Sequence, residues 1–352
     1  MNDKIAILGA GAAGMTTAAW LLQNGHAVVV WDTEAQSARD FSEIRAQGLR
    51  IDGPGFEALK KLPAMTHDLA EAMRAERIVV CVSSGRQQDV AEKMAPHVRA
   101  EQKILLAPGN LGSVIFHRVF QAHDKRCAVL AELAECLWAC RKIGDGRYVS
   151  AMPPGAKRIA ALPSADTAKA LTAFSDLFSL TAGRNILENS LNSPNVISHV
   201  AGTLLNLGGI DEKGADFALF EHGLSEGYLR CMTLLEEERD AVLAALGFER
   251  FAKPVAPLMA LLQDIEHHPE MAAFRSLKGP DSVHHRFIEE DASCGVAMLH
   301  SLAEKYRIDI PVTTALLTLA GKLTGKDYAN TGRTIAWLGE TASLILLDLK
   351  SL

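Results

Sequence analysis

At 352 residues the chain is longer than one hydrophobic core usually sustains, so two domains are the default expectation. The formal net charge is −6 and Lys and Arg are scattered, which leaves no electrostatic footprint for nucleic acid. No apolar run approaches the roughly 20 residues that span a bilayer, and the first strand begins without a charged leader and cleavage site, so no membrane partner and a cytoplasmic location are expected.

The first element is an apolar strand, Lys4 to Leu8, that breaks into Gly9-Ala10-Gly11-Ala12-Ala13-Gly14 and continues with helical periodicity to Gly25. Gly9 permits a tight turn, Gly11 lets backbone approach a pyrophosphate, and Gly14 lets the helix pack closely on the strand, while the helix N-terminus offers N–H groups to phosphate. The next strand, Ala27 to Trp31, ends in Asp32, the distance at which a carboxylate reaches the adenine ribose. Together these form a dinucleotide-binding βαβ unit. The acid favours NAD, and Arg39 is the nearby cation that keeps NADP allowed.

Strand and helix keep alternating through Arg77–Val82, a helix from Gln87, and Lys103–Ala107, with further strands at Arg147–Ala151 and Arg158–Leu162 extending the same sheet. In an open parallel sheet the ligand lies beyond the carboxyl ends of the strands, so Val82, Ser83 and Pro108 are expected beside the cofactor. From Asn185 onward the pattern is helical, with Leu219–Leu246, Val296–Tyr306 and Val312–Leu323 placing apolar residues at three- and four-residue intervals. The expected architecture is an α/β doubly wound parallel sheet over residues 1–182 followed by an all-α domain over 183–352.

The six cysteines lack zinc or CxxC spacing and read as buried reduced thiols, with Cys136 and Cys140 able to share a helix face. The doublets His267-His268 and His284-His285 have no accompanying ligand pattern, so no metal is expected.

Ser193-Pro194 starts a helix, with serine able to cap and proline pre-set at the first position. Asn195, His199, Gly202 and Asn206 then form a polar stripe on an otherwise apolar helix, where unpaired polar groups are costly. A second polar cluster, His285 to Asp291, precedes the helix carrying Val296 and Leu299. Asp291 near that helix's start either caps it or orients an imidazole and fixes its tautomer.

Leu191-Asn-Ser-Pro-Asn195 with His199, Gly279-Pro280 with Arg286-Phe-Ile-Glu-Glu-Asp291 and Gly295, and Lys326-Asp-Tyr328 with Gly332-Arg-Thr-Ile335 and Leu338-Gly339 resemble the octopine/nopaline (opine) dehydrogenase family. Trp31-Asp32, Gly53-Pro54-Gly55, Pro108-Gly109 and Glu132 through Cys140-Arg141 carry the resemblance across the N-terminal half. It implies a Rossmann domain for NAD(P)H and a helical domain that closes over it, with His199 and Asp291 as the catalytic pair. It also implies the chemistry, reductive condensation of an amino acid with a 2-oxo acid. Arg286, Arg141 and Asn195 are the candidate partners of substrate.

The sequence is also compatible with two other readings. A ketopantoate-reductase-like or glycerol-phosphate-dehydrogenase-like reductase would place a lysine near the helical domain's first helix, where this chain has none between Lys169 and Lys213. A non-catalytic NAD(H) sensor would keep the glycines and Asp32 without needing His199 and Asp291. Glu132 and Glu221 do not decide the amino-acid partner, and the apolar tail Leu344-Ile-Leu-Leu347 suggests a homodimer.

Overall fold

A computed structural model of the protein describes residues 4–345, so Leu346 and Leu347 of the apolar tail lie outside the described residues. The chain divides into two compact units, with the division between Ile186 and Leu187, and the described end of the chain, Leu344–Ile345, belongs to the first unit rather than to the second as expected.

The first unit is built on β1 (Ile5–Leu8), α1 (Ala12–Gln23), β2 (Val28–Trp31), α2 (Glu34–Gln47), β3 (Arg50–Asp52), β4 (Ala64–Thr66), α3 (Leu69–Ala72), β5 (Arg77–Val80), α4 (Gln87–Met94), β6 (Lys103–Leu106), α5 (Gly112–Ala122) and β7 (Val129–Leu133). It continues with β8 (Cys140–Gly144), β9 (Arg147–Ser150), β10 (Lys157–Ala161), α6 (Thr167–Phe174) and β11 (Leu180–Ala182). The main sheet runs β11-β10-β7-β6-β5-β1-β2-β4. From β4 to β7 every pairing is parallel, and the strand order is that of a dinucleotide-binding doubly wound sheet whose switch point lies between β1 and β5. β10 joins antiparallel to β7.

Alternate residues of these short strands feed two cores, as a sheet covered on both faces requires. Ile5 and Ile7 pack with Met15, Leu21 and Phe41 on one side. Ala6 and Leu8 pack with Val90, Met94 and Phe116 on the other.

Arg147–Ala151 does not extend the main sheet. β9 pairs parallel with β3 and antiparallel with β8, forming a separate three-stranded sheet. Its alternation is right for a strand, but alternation does not say which strand is the partner. Cys136 and Cys140 do not share a helix either, because Cys140 opens β8.

The boundary falls in α7 (Ile186–Leu191). The second unit then contains α8 (Pro194–Leu204), α9 (Leu207–Lys213), α10 (Leu219–His222), α11 (Glu226–Ala245), α12 (Val255–Leu261), α13 (Ala272–Arg275), α14 (Arg286–Asp291), α15 (Ala297–Tyr306), α16 (Pro311–Thr324), α17 (Tyr328–Thr331) and α18 (Ile335–Leu338). Leu219–Leu246 is not one helix: it breaks at Gly223-Leu224-Ser225, and Ser225 accepts a hydrogen bond from Tyr228 N to start α11. A Cβ at Gly223 would lie 2.8 Å from Leu219 O. The polar stripe is also shorter than expected, since α8 ends at Leu204 and leaves Asn206 beyond it, while Leu205 is half exposed.

Within the first unit the fingerprint glycines make unequal demands. Gly9 has φ +108°, and a Cβ there would sit 2.7 Å from Cys81 O at the end of β5. A Cβ at Gly14 would lie 1.8 Å from Gly9 O, whereas one at Gly11 meets nothing within 4 Å. Gly14→Ala is therefore expected to lose about 3 kcal/mol or more of stability in urea unfolding, because backbone would have to move. Gly11→Ala is expected to stay within about 1 kcal/mol of the parent. Equal stabilities for the two variants would contradict this close packing of α1 on β1.

Candidate active site

The carboxyl ends of β1, β2, β5 and β6 carry the first cluster. Gly11 occupies the N-cap position of α1 and no side chain caps that helix, so its N-terminal N–H groups are left for an anion. Ala12 and Ala13 follow half-buried in the first turn, and a Cβ at Gly11 would meet nothing within 4 Å. Ala10 contributes differently from expectation: it is buried and its N–H donates to Asp32 Oδ2 at 2.9 Å, so it supports the site through the carboxylate.

Asp32 is 3% exposed and also accepts from Thr33 N at 2.8 Å. The cation on it is Arg86, with Nη2 2.7 Å from Oδ1 and Nη1 3.3 Å from Oδ2. Arg39 is not near that role. It pairs with Glu43 at 2.6 Å, and its side chain is almost wholly exposed. Arg86 lies at the end of the turn Ser84–Arg86 directly after β5, a position that sequence spacing alone did not mark.

Val82 is buried beside Gly9, and Ser83 is exposed at the mouth of the β5 loop. Pro108 is half-buried in the β6 loop. These two loops are tied together by Asn110 Nδ2 donating to Ser84 Oγ at 2.9 Å and Gln87 Nε2 donating to Gly109 O at 3.0 Å. Glu132 holds the second loop from below: its buried carboxylate accepts from Leu111 N, Ser113 N and Ser113 Oγ. A Cβ at Gly109 would collide with that Glu132 side chain, which explains the glycine after Pro108.

The second cluster belongs to the helical unit. Pro194 stands at the first position of α8 as expected, but Ser193 makes no side-chain cap. Tyr228 Oη donates to Ser198 O at 2.6 Å and fixes the helix against α11. His199, 8% exposed, then lies with Nδ1 2.7 Å from Oδ2 of Asp291, itself 6% exposed. A carboxylate only accepts, so Nδ1 is the donor, and Nε2 is the nitrogen whose lone pair can take up a proton. The Phe287 ring stacks on the imidazole at 3.6 Å between centroids and 10° between planes, which fixes the ring's plane as Asp291 fixes its rotation.

Asp291 is not a helix cap. α14 starts five residues earlier at Arg286, where the His285 ring accepts from Phe287 N, and Asp291 is its last residue. A π-helical turn, Ala292–Val296, follows at once. Such one-turn widenings concentrate at functional sites. Here Ser293 Oγ donates to Glu289 O, Ser293 O accepts from Arg333 N, and Gly295 admits Val196 of α8, whose Cγ2 would be 2.4 Å from any Cβ. Gly332 is likewise forced small by Ser293 O.

Of the candidate substrate residues, Arg286 is exposed with its guanidinium 5.4 Å from the centroid of Phe287, so it lies beside the His199 cluster. Asn195 is half-buried one turn before His199. Arg141 belongs to β8 of the first unit, where Nη1 donates to Cys140 O. Glu221 is exposed. Gly202 serves packing: a Cβ there would be 2.7 Å from Tyr228 Oη.

Cys81, Cys140 and Cys294 are buried and Cys127, Cys136 and Cys231 are half-buried, all unpaired by disulfides. Burial pushes the Cys81 thiol up to about 12. Among the described residues no three His, Cys, Asp or Glu side chains are grouped to hold a metal, and no helix is long and apolar enough to cross a membrane.

The fold and these clusters define a two-domain NAD(P)-dependent dehydrogenase. Residues 182–324 match the model described as "NAD/NADP octopine/nopaline dehydrogenase, alpha-helical domain", and residues 5–151 match that of ketopantoate reductase. The opine dehydrogenase of Arthrobacter sp. is 27% identical over 96% of this chain and 95% of its own. The vitopine synthase of Allorhizobium ampelinum is 24% identical over 95% and 94%. A solved octopine dehydrogenase in complex with NADH and agmatine shares the fold, with a TM-score of 0.69 at 17% identity over 99% of both chains. The helical half thus matches the octopine/nopaline dehydrogenase domain, and the chain is an NAD(P)-dependent oxidoreductase acting on CH–NH bonds.

A double-mutant cycle on His199→Ala and Asp291→Ala, read by urea unfolding, is expected to give a coupling of about 1–3 kcal/mol, as for a buried hydrogen bond to a charged group. Additive losses would mean that the two side chains do not bond.

Proposed function

We propose that the enzyme condenses the amine of an amino acid with a 2-oxo acid, using NADH or NADPH, to give an N-(carboxyalkyl)amino acid, and runs the reverse oxidation. The observation that carries this is the buried His199–Asp291 pair inside the segment that matches the octopine/nopaline helical domain. An amino acid arrives as an ammonium, which is not nucleophilic. His199 Nε2 takes that proton, and the amine attacks the ketone carbon of the 2-oxo acid. The same nitrogen returns that proton to the carbonyl oxygen to give a carbinolamine, and a second proton, taken from the amine nitrogen, lets the oxygen leave as water as the C=N bond forms. A dinucleotide held at Gly9–Gly14 would supply the hydride that reduces the imine carbon.

Asp291 acts through His199: it keeps the proton on Nδ1 and balances the imidazolium that forms at each transfer. Phe287 keeps the ring in plane. Arg286 is the proposed partner of a substrate carboxylate, since a planar guanidinium takes a carboxylate bidentately. Asn195 and Arg141 are proposed as further polar contacts to substrate. Gly9, Gly11, Ala12, Ala13, Gly14, Ser83 and Pro108 are proposed to line the dinucleotide, with Ala10 and Val82 behind them. Six cysteines without a disulfide fit a reducing cytoplasm. A homodimer is the proposed assembly; Ile345 of the apolar tail is buried within the chain itself, where its carbonyl accepts from Ser164 Oγ.

The test is a matrix of amines and 2-oxo acids followed by NADH oxidation, with His199→Ala beside the parent. The variant is expected to bind NADH within about threefold of the parent and to lose condensation by about 10²–10⁴-fold. Wild-type turnover in the variant would remove His199 from the chemistry.

A further inference from the structure

The Asp32 carboxylate is already fully engaged. A carboxylate accepts about four hydrogen bonds. Two of those at Asp32 come from backbone, Ala10 N and Thr33 N, and are fixed by the fold. The other two come from the Arg86 guanidinium at 2.7 and 3.3 Å. The two ribose hydroxyls of NAD therefore compete with Arg86 for the same lone pairs.

Arg86 is the more accessible partner, with its side chain 29% exposed against 4% for Asp32. Two of its five N–H groups go to Asp32, which leaves three for another acceptor. In dinucleotide sites an arginine beside the acidic residue is the group that accommodates a 2′-phosphate. An unaccompanied Asp32 would repel that dianion. With Arg86 on it, its charge is cancelled, and the guanidinium can bridge carboxylate and phosphate. No similar offer comes from Arg39, engaged by Glu43, or from Arg45, whose Nη2 donates to Met65 O.

We propose that Arg86 is the nucleotide-specificity residue: seated on Asp32, it makes the site accept NADPH as well as NADH. This rests on the dinucleotide reading of the first unit. It predicts opposite responses to the two nucleotides when Arg86 is removed, because NADPH loses its cation while NADH gains acceptor capacity on Asp32.

The experiment is equilibrium titration of the full chain with NADH and with NADPH, followed by nucleotide fluorescence and calorimetry. The parent is expected to bind both within about tenfold. Arg86→Ala should weaken NADPH by about 10–100-fold, the size of a lost charge-assisted hydrogen bond, and leave NADH unchanged or tighter. Arg86→Lys keeps the charge without the planar fork and should fall between them, which keeps the test available if the alanine variant folds poorly. Equal weakening of both nucleotides, an unchanged NADPH affinity, or a parent selective for NADH by more than about a hundredfold overturns the proposal. A parent that binds neither nucleotide overturns both the proposal and the dinucleotide reading beneath it.

Discussion

The hydrogen bond from His199 to Asp291 joins residues 92 apart in sequence, and much of the helical unit's local structure is what that bond requires. Both side chains are nearly buried, and a carboxylate left there without a partner would cost several kcal/mol. Satisfying it needs α8 and α14 close together. Gly295 supplies the closeness by admitting Val196, and the π turn after Asp291 frees Ser293 O to take Arg333 N. The glycines and arginine of the C-terminal motif are thus supports of the pair, placed in sequence far from the residues they hold.

The first unit follows the same physical logic. Asp32 gathers Ala10, Thr33 and Arg86, and so ties the fingerprint loop, the end of β2 and the β5 loop to one carboxylate. Glu132 gathers the N–H groups of Leu111 and Ser113 and shapes the β6 loop. In each case a buried acid is tolerated because donors are fixed around it, and those donors belong to loops at the carboxyl ends of the strands. Preorganisation of this kind is what an enzyme that must hold a charged nucleotide and move protons needs.

Much of this was legible in the chain. Gly9, Gly11, Gly14 and Asp32 are read locally, because strand, turn and helix are short-range features with fixed spacing. His199 stood out because a polar residue on an apolar helix demands a partner. What remained hidden depended on distant pairing. Arg147–Ala151 is a strand by alternation, but its partners β3 and β8 are set by the fold. Arg86 lies 54 residues from Asp32, and only the sheet's strand order brings them together. The helical stretch around Asp291 begins earlier than its sequence suggests, at Arg286, because its cap is a histidine ring, which carries no cap signal in sequence.

The central claim is that this two-unit dehydrogenase forms a carbon–nitrogen bond as it reduces. Mass spectrometry of the product made with NADH deuterated at nicotinamide C4, a 2-oxo acid and an amino acid tests it most directly. The expected product is a secondary amine dicarboxylate carrying one deuterium on the former ketone carbon, formed only when the amine is present. A deuterated 2-hydroxy acid, formed at the same rate with or without the amine, would contradict it.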